Sequence, residues 1–203
     1  DILCLNPNHL YITVFKGDPS VGIDRDDEAI QIWTELFKAK NIDPKIEEDG
    51  EIYGTSRGGR IFLYDANENW WSRSGQPKNM PIGELGGPDS EMFFDFEPNG
   101  DVMDHPASDT GRFLEIGNNV FMSHQKISEN NFAALDKPNI DYGGGLERIC
   151  AAVNSDRDVY NTPFFQSPKK VLTELSGKSY EENLSAFRIV LDHCRAATFL
   201  VGD

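Results

Sequence analysis

Basic residues are scarce in this chain. Against 34 Asp and Glu, the 203 residues carry 19 Lys and Arg, a formal net charge of -15 at pH 7. A protein of that sign does not coat nucleic acid with its whole surface, because phosphate contact draws on Lys and Arg. Cysteine is scarce too: Cys4, Cys150 and Cys194 are scattered, with no C-x-x-C pair. That excludes a disulfide framework and a zinc half-site, and it fits a reducing, cytoplasmic compartment. Long apolar runs are missing, and none approaches the ~20 residues that span a bilayer. What is present is a chain 38% hydrophobic and 11% aromatic, too apolar for a disordered acidic tail. Its length suits one large domain or two small ones. The sequence opens on Asp1 and stops at Val201-Gly202-Asp203, straight after an apolar helical pattern, so both ends read as cuts in a longer protein.

The first two thirds reads as strands. His9–Phe15 is rich in β-formers, and Asp26-Asp27-Glu28 then opens a helix with acids in its first turn. Ile30, Ile32, Trp33, Leu36 and Phe37 give that helix an apolar stripe, ending near Asn41. A short strand fits Lys45–Glu48 and a clear one Ile61–Tyr64. Residues 69–89 hold two tryptophans among many Gly and Pro, an irregular segment of the kind that tends to carry function. Ser90–Phe96, Arg112–Ile127 and Ile140–Gly145 read as strands. Leu146–Val153 is a helix, followed by Val159–Leu175, interrupted by Pro163 and Pro168, and by Tyr180–Val201. Residues 1–155 carry 27 acids and 13 bases, and residues 156–203 carry 7 and 6. The change of charge coincides with the switch to helices and places a domain boundary there. The fold class expected is α+β: an antiparallel sheet flanked by helices, then an α-helical segment.

Asp141-Tyr142-Gly143-Gly144-Gly145-Leu146-Glu147-Arg148 is the most informative stretch. It is a strand end, a glycine run and a helix start. Glycine lets a ligand approach the backbone, a helix start offers free N–H groups, and Arg148 can fork onto a phosphate. Taken alone, the same stretch also fits a plain tight turn.

The run G-x-G-x-G-L-E-R resembles motif 3 of class II aminoacyl-tRNA synthetases. Its surroundings resemble the alanyl-tRNA synthetase family, whose pattern reads NFW, GP-x-SE, EIWN-x-VFMQ and D-x-G-x-GLER. Here stand Asn69-Trp70-Trp71, Gly87-Pro88-Asp89-Ser90-Glu91, Glu115-Ile116-Gly117-Asn118-Asn119-Val120-Phe121-Met122 and Asp141–Arg148, in that order. Asp192–Phe199 is similar to the family's ADH-x-RA-x-TF helix, and His9–Phe15 with Asp26–Trp33 to its LWVTV…DDEA-x-x-IW segment.

The resemblance implies alanine–tRNA ligase chemistry, with alanine, ATP and tRNA as partners and Mg²⁺ as cofactor. It puts Trp71, Asn118, Val120, Asp141 and Gly143 in the alanine pocket, with Asp141 on the α-ammonium. It puts Glu91, Glu115, Gly143, Gly145 and Arg148 around ATP, with Arg148 on the terminal phosphate and Glu115 a candidate Mg²⁺ carboxylate. Arg148 and Glu115 are the catalytic pair so implied. Strict alternation sets Glu115 and Asn118 on opposite strand faces, so both can serve one site only if a bulge intervenes, and Gly117 permits one. The family's motif 1, its motif 2 arginine and its editing domain have no match here. The pattern's Trp is Gly117, and its GPCGPC-like loop is replaced by Gly83–Asp89. The isolated chain is therefore expected to have little or no activity. The rival reading is a non-catalytic synthetase-like paralogue or fragment serving binding or assembly.

Other features read plainly. Asp95-x-Glu97-x-Asn99-Gly100 resembles half an EF-hand loop, but position twelve is Pro106 and no helix precedes it. The four histidines are dispersed. Cys150 and Cys194 read as buried thiols. One of Trp70 and Trp71 belongs in the core. The acidic run from Asp89 to Glu115 reads mostly as solvated edges and turns.

Overall fold

The computed structural model describes residues 2–202. Seven strands form one sheet: β1 (Leu10–Phe15), β2 (Ile46–Glu47), β3 (Ile61–Tyr64), β4 (Trp70–Ser72), β5 (Leu85–Asp95), β6 (Phe113–Ser128) and β7 (Asn131–Gly144). Their order is β2-β3-β1-β5-β6-β7, with β4 also pairing β5. The helices are α1 (Asp27–Ala39), α2 (Gly50–Tyr53), α3 (Leu146–Asn154), α4 (Pro163–Ser176) and α5 (Leu184–Gly202). The α+β class holds, but the sheet is mixed. β1 and β2 each pair β3 in parallel, while every pairing of β5, β6 and β7 is antiparallel.

β1 is central and buried on both faces. Ile12 and Val14 face α1, where they join Ala29, Ile30, Phe37, Ile61 and Leu63 in one core cluster. Tyr11 and Phe15 enter separate clusters, with Phe62, Tyr64 and Phe113 and with Trp70 and Met80. The start of α1 follows its sequence cue. Asp26 caps it, accepting from the Ala29 N–H at 2.9 Å, and Asn41 leaves its end at φ 59. Ile32 and Leu36 of the expected stripe stay exposed; Ile30 and Phe37 carry the burial.

Several elements differ from expectation for clear reasons. The segment 69–89 contains β4 and the start of β5, since Trp70–Ser72 pairs with Gly86–Pro88. β7 begins nine residues earlier than Ile140. It is an edge strand, exposed along much of its length, so it lacks apolar alternation and tolerates Pro138. Pro163 starts α4 rather than breaking it, and Pro168 lies inside it. α5 starts at Leu184, not Tyr180. Cys150 is only half-buried and Cys194 is exposed, contrary to the buried thiols expected.

The acidic run is not simply solvated. Asp95 is fully buried and Arg112 is 3% exposed. The guanidinium grips the carboxylate twice, Nε to Oδ1 at 3.0 Å and Nη2 to Oδ2 at 2.7 Å, and its Nη1 donates to Asp101 O at 2.6 Å. Lys126 is buried as well, its Nζ donating to Pro77 O at 2.9 Å, which ties the β4–β5 loop to β6. No helix among the described residues is long and apolar enough to cross a membrane.

Candidate active site

β5 turns Asp89, Glu91 and Phe93 to one face by alternation. Opposite them on β6 stand Val120, Asn118 and Glu115 respectively. The last pairing needs an irregularity, and the register has one. Met92 pairs with Gly117, but Phe93 pairs with Glu115, leaving Ile116 as an extra residue. Ile116 buries itself against Phe94 and Ala152. This is the bulge the sequence called for beside Gly117. It reverses the alternation, so Glu115 and Asn118 share a face.

β7 extends that face, with Gly143 opposite Asn118 and Asp141 opposite Val120. β1 extends it on the other side, with Thr13 opposite Glu91. Trp70 is 6% exposed and packs in the core, whereas Trp71 is 42% exposed. Asn69, two residues before Trp71, reaches the same face: its Nδ2 donates to Thr13 Oγ1 at 2.8 Å and to Asp89 Oδ1 at 3.1 Å. Glu91 accepts from Thr13 Oγ1 at 3.3 Å and from Asn118 Nδ2 at 3.4 Å.

The glycine run leads from β7 into α3. Gly145 is the N-cap, without a side chain to cap the helix, and its own N–H donates to Ile116 O at 3.3 Å. Arg148, in the first turn, donates from Nη1 to Glu115 Oε2 at 2.6 Å. Both members of this ion pair keep solvent access, so an incoming anion can compete for the guanidinium.

The face is rich in acceptors. Burial, with Asp89 and Glu115 nearby, pushes the Glu91 carboxyl up to about 8. Burial likewise pushes Asp89 to about 6, against the hydrogen bonds of Asn69 and Asn118 that favour its charge. Asn69 Oδ1 and Asn118 Oδ1 are buried with no partner among the described residues. Carboxylates and orphaned amide oxygens of this kind call for a cationic or donor-bearing ligand.

No group of three or more His, Cys, Asp or Glu among the described residues is arranged to hold a metal ion. Mg²⁺ does not require such a cage, since it takes one or two carboxylates and completes its shell with water and phosphate. Glu91 and Glu115 offer that donor chemistry.

Gly117, where the resembled pattern has Trp, is also accounted for. A Cβ there would lie 2.8 Å from both Tyr142 Oη and Met92 Cε. Tyr142 covers from β7 the space that a side chain at 117 would take.

Eight of the expected residues thus meet on one face or at its helix: Glu91, Glu115, Asn118, Val120, Asp141, Gly143, Gly145 and Arg148. Trp71 lies on β4 beside it. Sequence reading passed over Thr13, Asn69 and Asp89 as site residues. Asp89 was findable, standing two before Glu91 on a strand. Thr13 required the β1–β5 register.

The family model for "tRNA synthetases class II (A)" matches residues 1–203. The chain belongs to that family. It is 35% identical to the alanine–tRNA ligase of Treponema pallidum (strain Nichols) over 207 residues, 99% of this chain and 30% of that protein. It is 33% identical to the alanine–tRNA ligase of Treponema denticola over 200 residues, 96% of this chain and 29% of that one. With that of Nitrosococcus oceani it shares 32% over 207 residues, 100% of this chain and 20% of the relative. This class II synthetase chain therefore spans about a fifth to a third of the length of these relatives.

Proposed function

We propose that this chain supplies the amino-acid pocket and motif 3 of an alanine–tRNA ligase. The observation that carries the reading is the bulge at Ile116, which sets Glu115 and Asn118 on one acceptor-rich face with Arg148 at its edge. Asp141 would take the α-ammonium of alanine, with Trp71, Asn118, Val120 and Gly143 around the methyl group. A valine and an indole fit a methyl side chain and reject larger ones by size. A missing methyl offers only ~1–3 kcal/mol of discrimination, so glycine is poorly excluded.

Arg148 would leave Glu115 to grip the terminal phosphate of ATP, while Glu91, Gly143 and Gly145 line the nucleotide. Glu115 would then be free as a carboxylate for Mg²⁺, which supplies charge neutralisation at the phosphates. The alanine carboxylate attacks the α-phosphorus, giving alanyl-adenylate and pyrophosphate. The terminal ribose hydroxyl of tRNA then attacks the acyl carbon. The first step needs positioning and charge stabilisation more than a protein nucleophile. Residues 1–155 would form the C-terminal part of the catalytic domain, and residues 156–203 the start of a helical tRNA-recognition region. Motif 1 and the motif 2 arginine would come from elsewhere in the protein.

Alanine-dependent ATP–pyrophosphate exchange tests the reading. The full-length protein carrying this chain exchanges label with alanine, and the purified 203 residues show little or none. A full-length protein without exchange would refute the activity and leave the non-catalytic reading. Asp141→Asn raises the KM for alanine; an unchanged value would remove Asp141 from the pocket.

A further inference from the structure

Asp89 has no part in the activity just proposed, yet it sits between the strands that carry the pocket. Its backbone N–H donates to Asn69 O at 3.1 Å, and its Oδ1 accepts from Asn69 Nδ2 at 3.1 Å. On its other flank it lies opposite Val120; the Asn118 amide is held by the neighbouring Glu91, Nδ2 to Oε1 at 3.4 Å, and Glu91 in turn accepts from Thr13 Oγ1, to which Asn69 Nδ2 also donates. At 3% exposure it is too enclosed to touch a ligand. An asparagine amide can turn end for end unless a neighbour decides which end donates. A carboxyl acceptor makes that decision for each amide, Asp89 for Asn69 and Glu91 for Asn118. The two nitrogens are so held, and Asn69 Oδ1 and Asn118 Oδ1 are left as the buried, unpartnered ends. Asn69 is thus linked through Thr13 and Glu91 to Asn118, which is assigned to the pocket above, and it precedes Trp71 by two.

We propose that Asp89 is a positioning residue for the amino-acid pocket: through Asn69 it sets the seat of Trp71 and, by the chain through Thr13 and Glu91, the amide of Asn118, and so sets the preference for alanine over serine. The inference rests on the alanine-activating reading above. Asp89→Asn keeps the shape but adds a donor where only an acceptor stood. The amide of Asn69, and with it the chain to Asn118, then loses its fixed orientation, alanine binds less well, and the slightly larger serine is rejected less firmly.

The test is alanine- and serine-dependent ATP–pyrophosphate exchange by the full-length protein carrying this chain. In Asp89→Asn the KM for alanine rises about tenfold, the worth of one hydrogen bond to a charged group. The KM for ATP and kcat stay within about twofold, and the alanine-over-serine preference falls about threefold or more. A purely structural Asp89 would lower the melting temperature and the active fraction but leave the alanine KM and the preference unchanged, and that outcome overturns the proposal. Asn69→Ala breaks the same contact from the other side and raises the alanine KM likewise, which decides the matter if Asp89→Asn does not fold. Failure of both to fold marks the network as structural and overturns the proposal too. Wild-type protein without alanine-dependent exchange overturns the activity itself. Exchange in the wild type with an unchanged alanine KM in both variants overturns this inference alone.

Discussion

Replacing Glu91 by Gln should change how the stability of the protein depends on pH. In the folded chain the Glu91 carboxyl is pushed from an ordinary 4.5 up to about 8 by burial and by Asp89 and Glu115. A carboxyl raised in this way binds its proton more tightly folded than unfolded. Its contribution is whole below about pH 4.5, falls as the pH rises, and is gone above about 8. At about 1.4 kcal/mol per pH unit, the full interval corresponds to about 5 kcal/mol. Glu91 is only partly buried, so solvent screening brings the expected loss to about 2–3 kcal/mol. Glu91→Gln cannot ionise and still accepts from Thr13 through its amide oxygen. Urea unfolding between pH 5 and 9 should therefore show the wild type losing stability across the range and Glu91→Gln losing about 2–3 kcal/mol less. Magnesium ions with ATP should flatten the wild-type profile, because cations stabilise the ionised form. Parallel curves for wild type and variant would refute the electrostatic account of this face.

Three further outcomes follow from particular contacts. Asp95→Asn leaves the buried Arg112 guanidinium without its anion and should cost about 3–5 kcal/mol in urea unfolding, as broken buried pairs do. Arg148→Ala should raise the KM for ATP about tenfold or more in the full-length protein, and Arg148→Lys should not restore it, because an ammonium lacks the planar fork. Gly117→Trp restores the resembled pattern but collides with Tyr142 and Met92. It should lose about 1–3 kcal/mol alone and less in combination with Tyr142→Ala, a coupling that a double-mutant cycle measures.

Much of this protein was legible residue by residue. The start of α1 at Asp26–Glu28, the burial of Ile30 and Phe37 and the β-rich run of Ile61–Tyr64 depend on neighbours a few positions away, and such local cues survive in a bare sequence. The glycine run before Leu146 marked the strand-to-helix turn for the same reason. Even the bulge was readable, because Glu115 and Asn118 could serve one site in no other way and Gly117 allowed it. The polar, proline-containing start of β7 was not readable. It is a strand only because β6 lends it hydrogen bonds, and as an edge it needs no apolar alternation. Nor was the role of Asp89 or Asp95 visible, since a carboxylate looks solvated until its partner is known. Asn69 lies 20 positions from Asp89 and Arg112 lies 17 from Asp95. The scarcity of bases and the motif order were set by sequence alone. Which acids are buried, which face they share and which amide ends are left free were decided by strand register, a property of paired chains that no single segment carries.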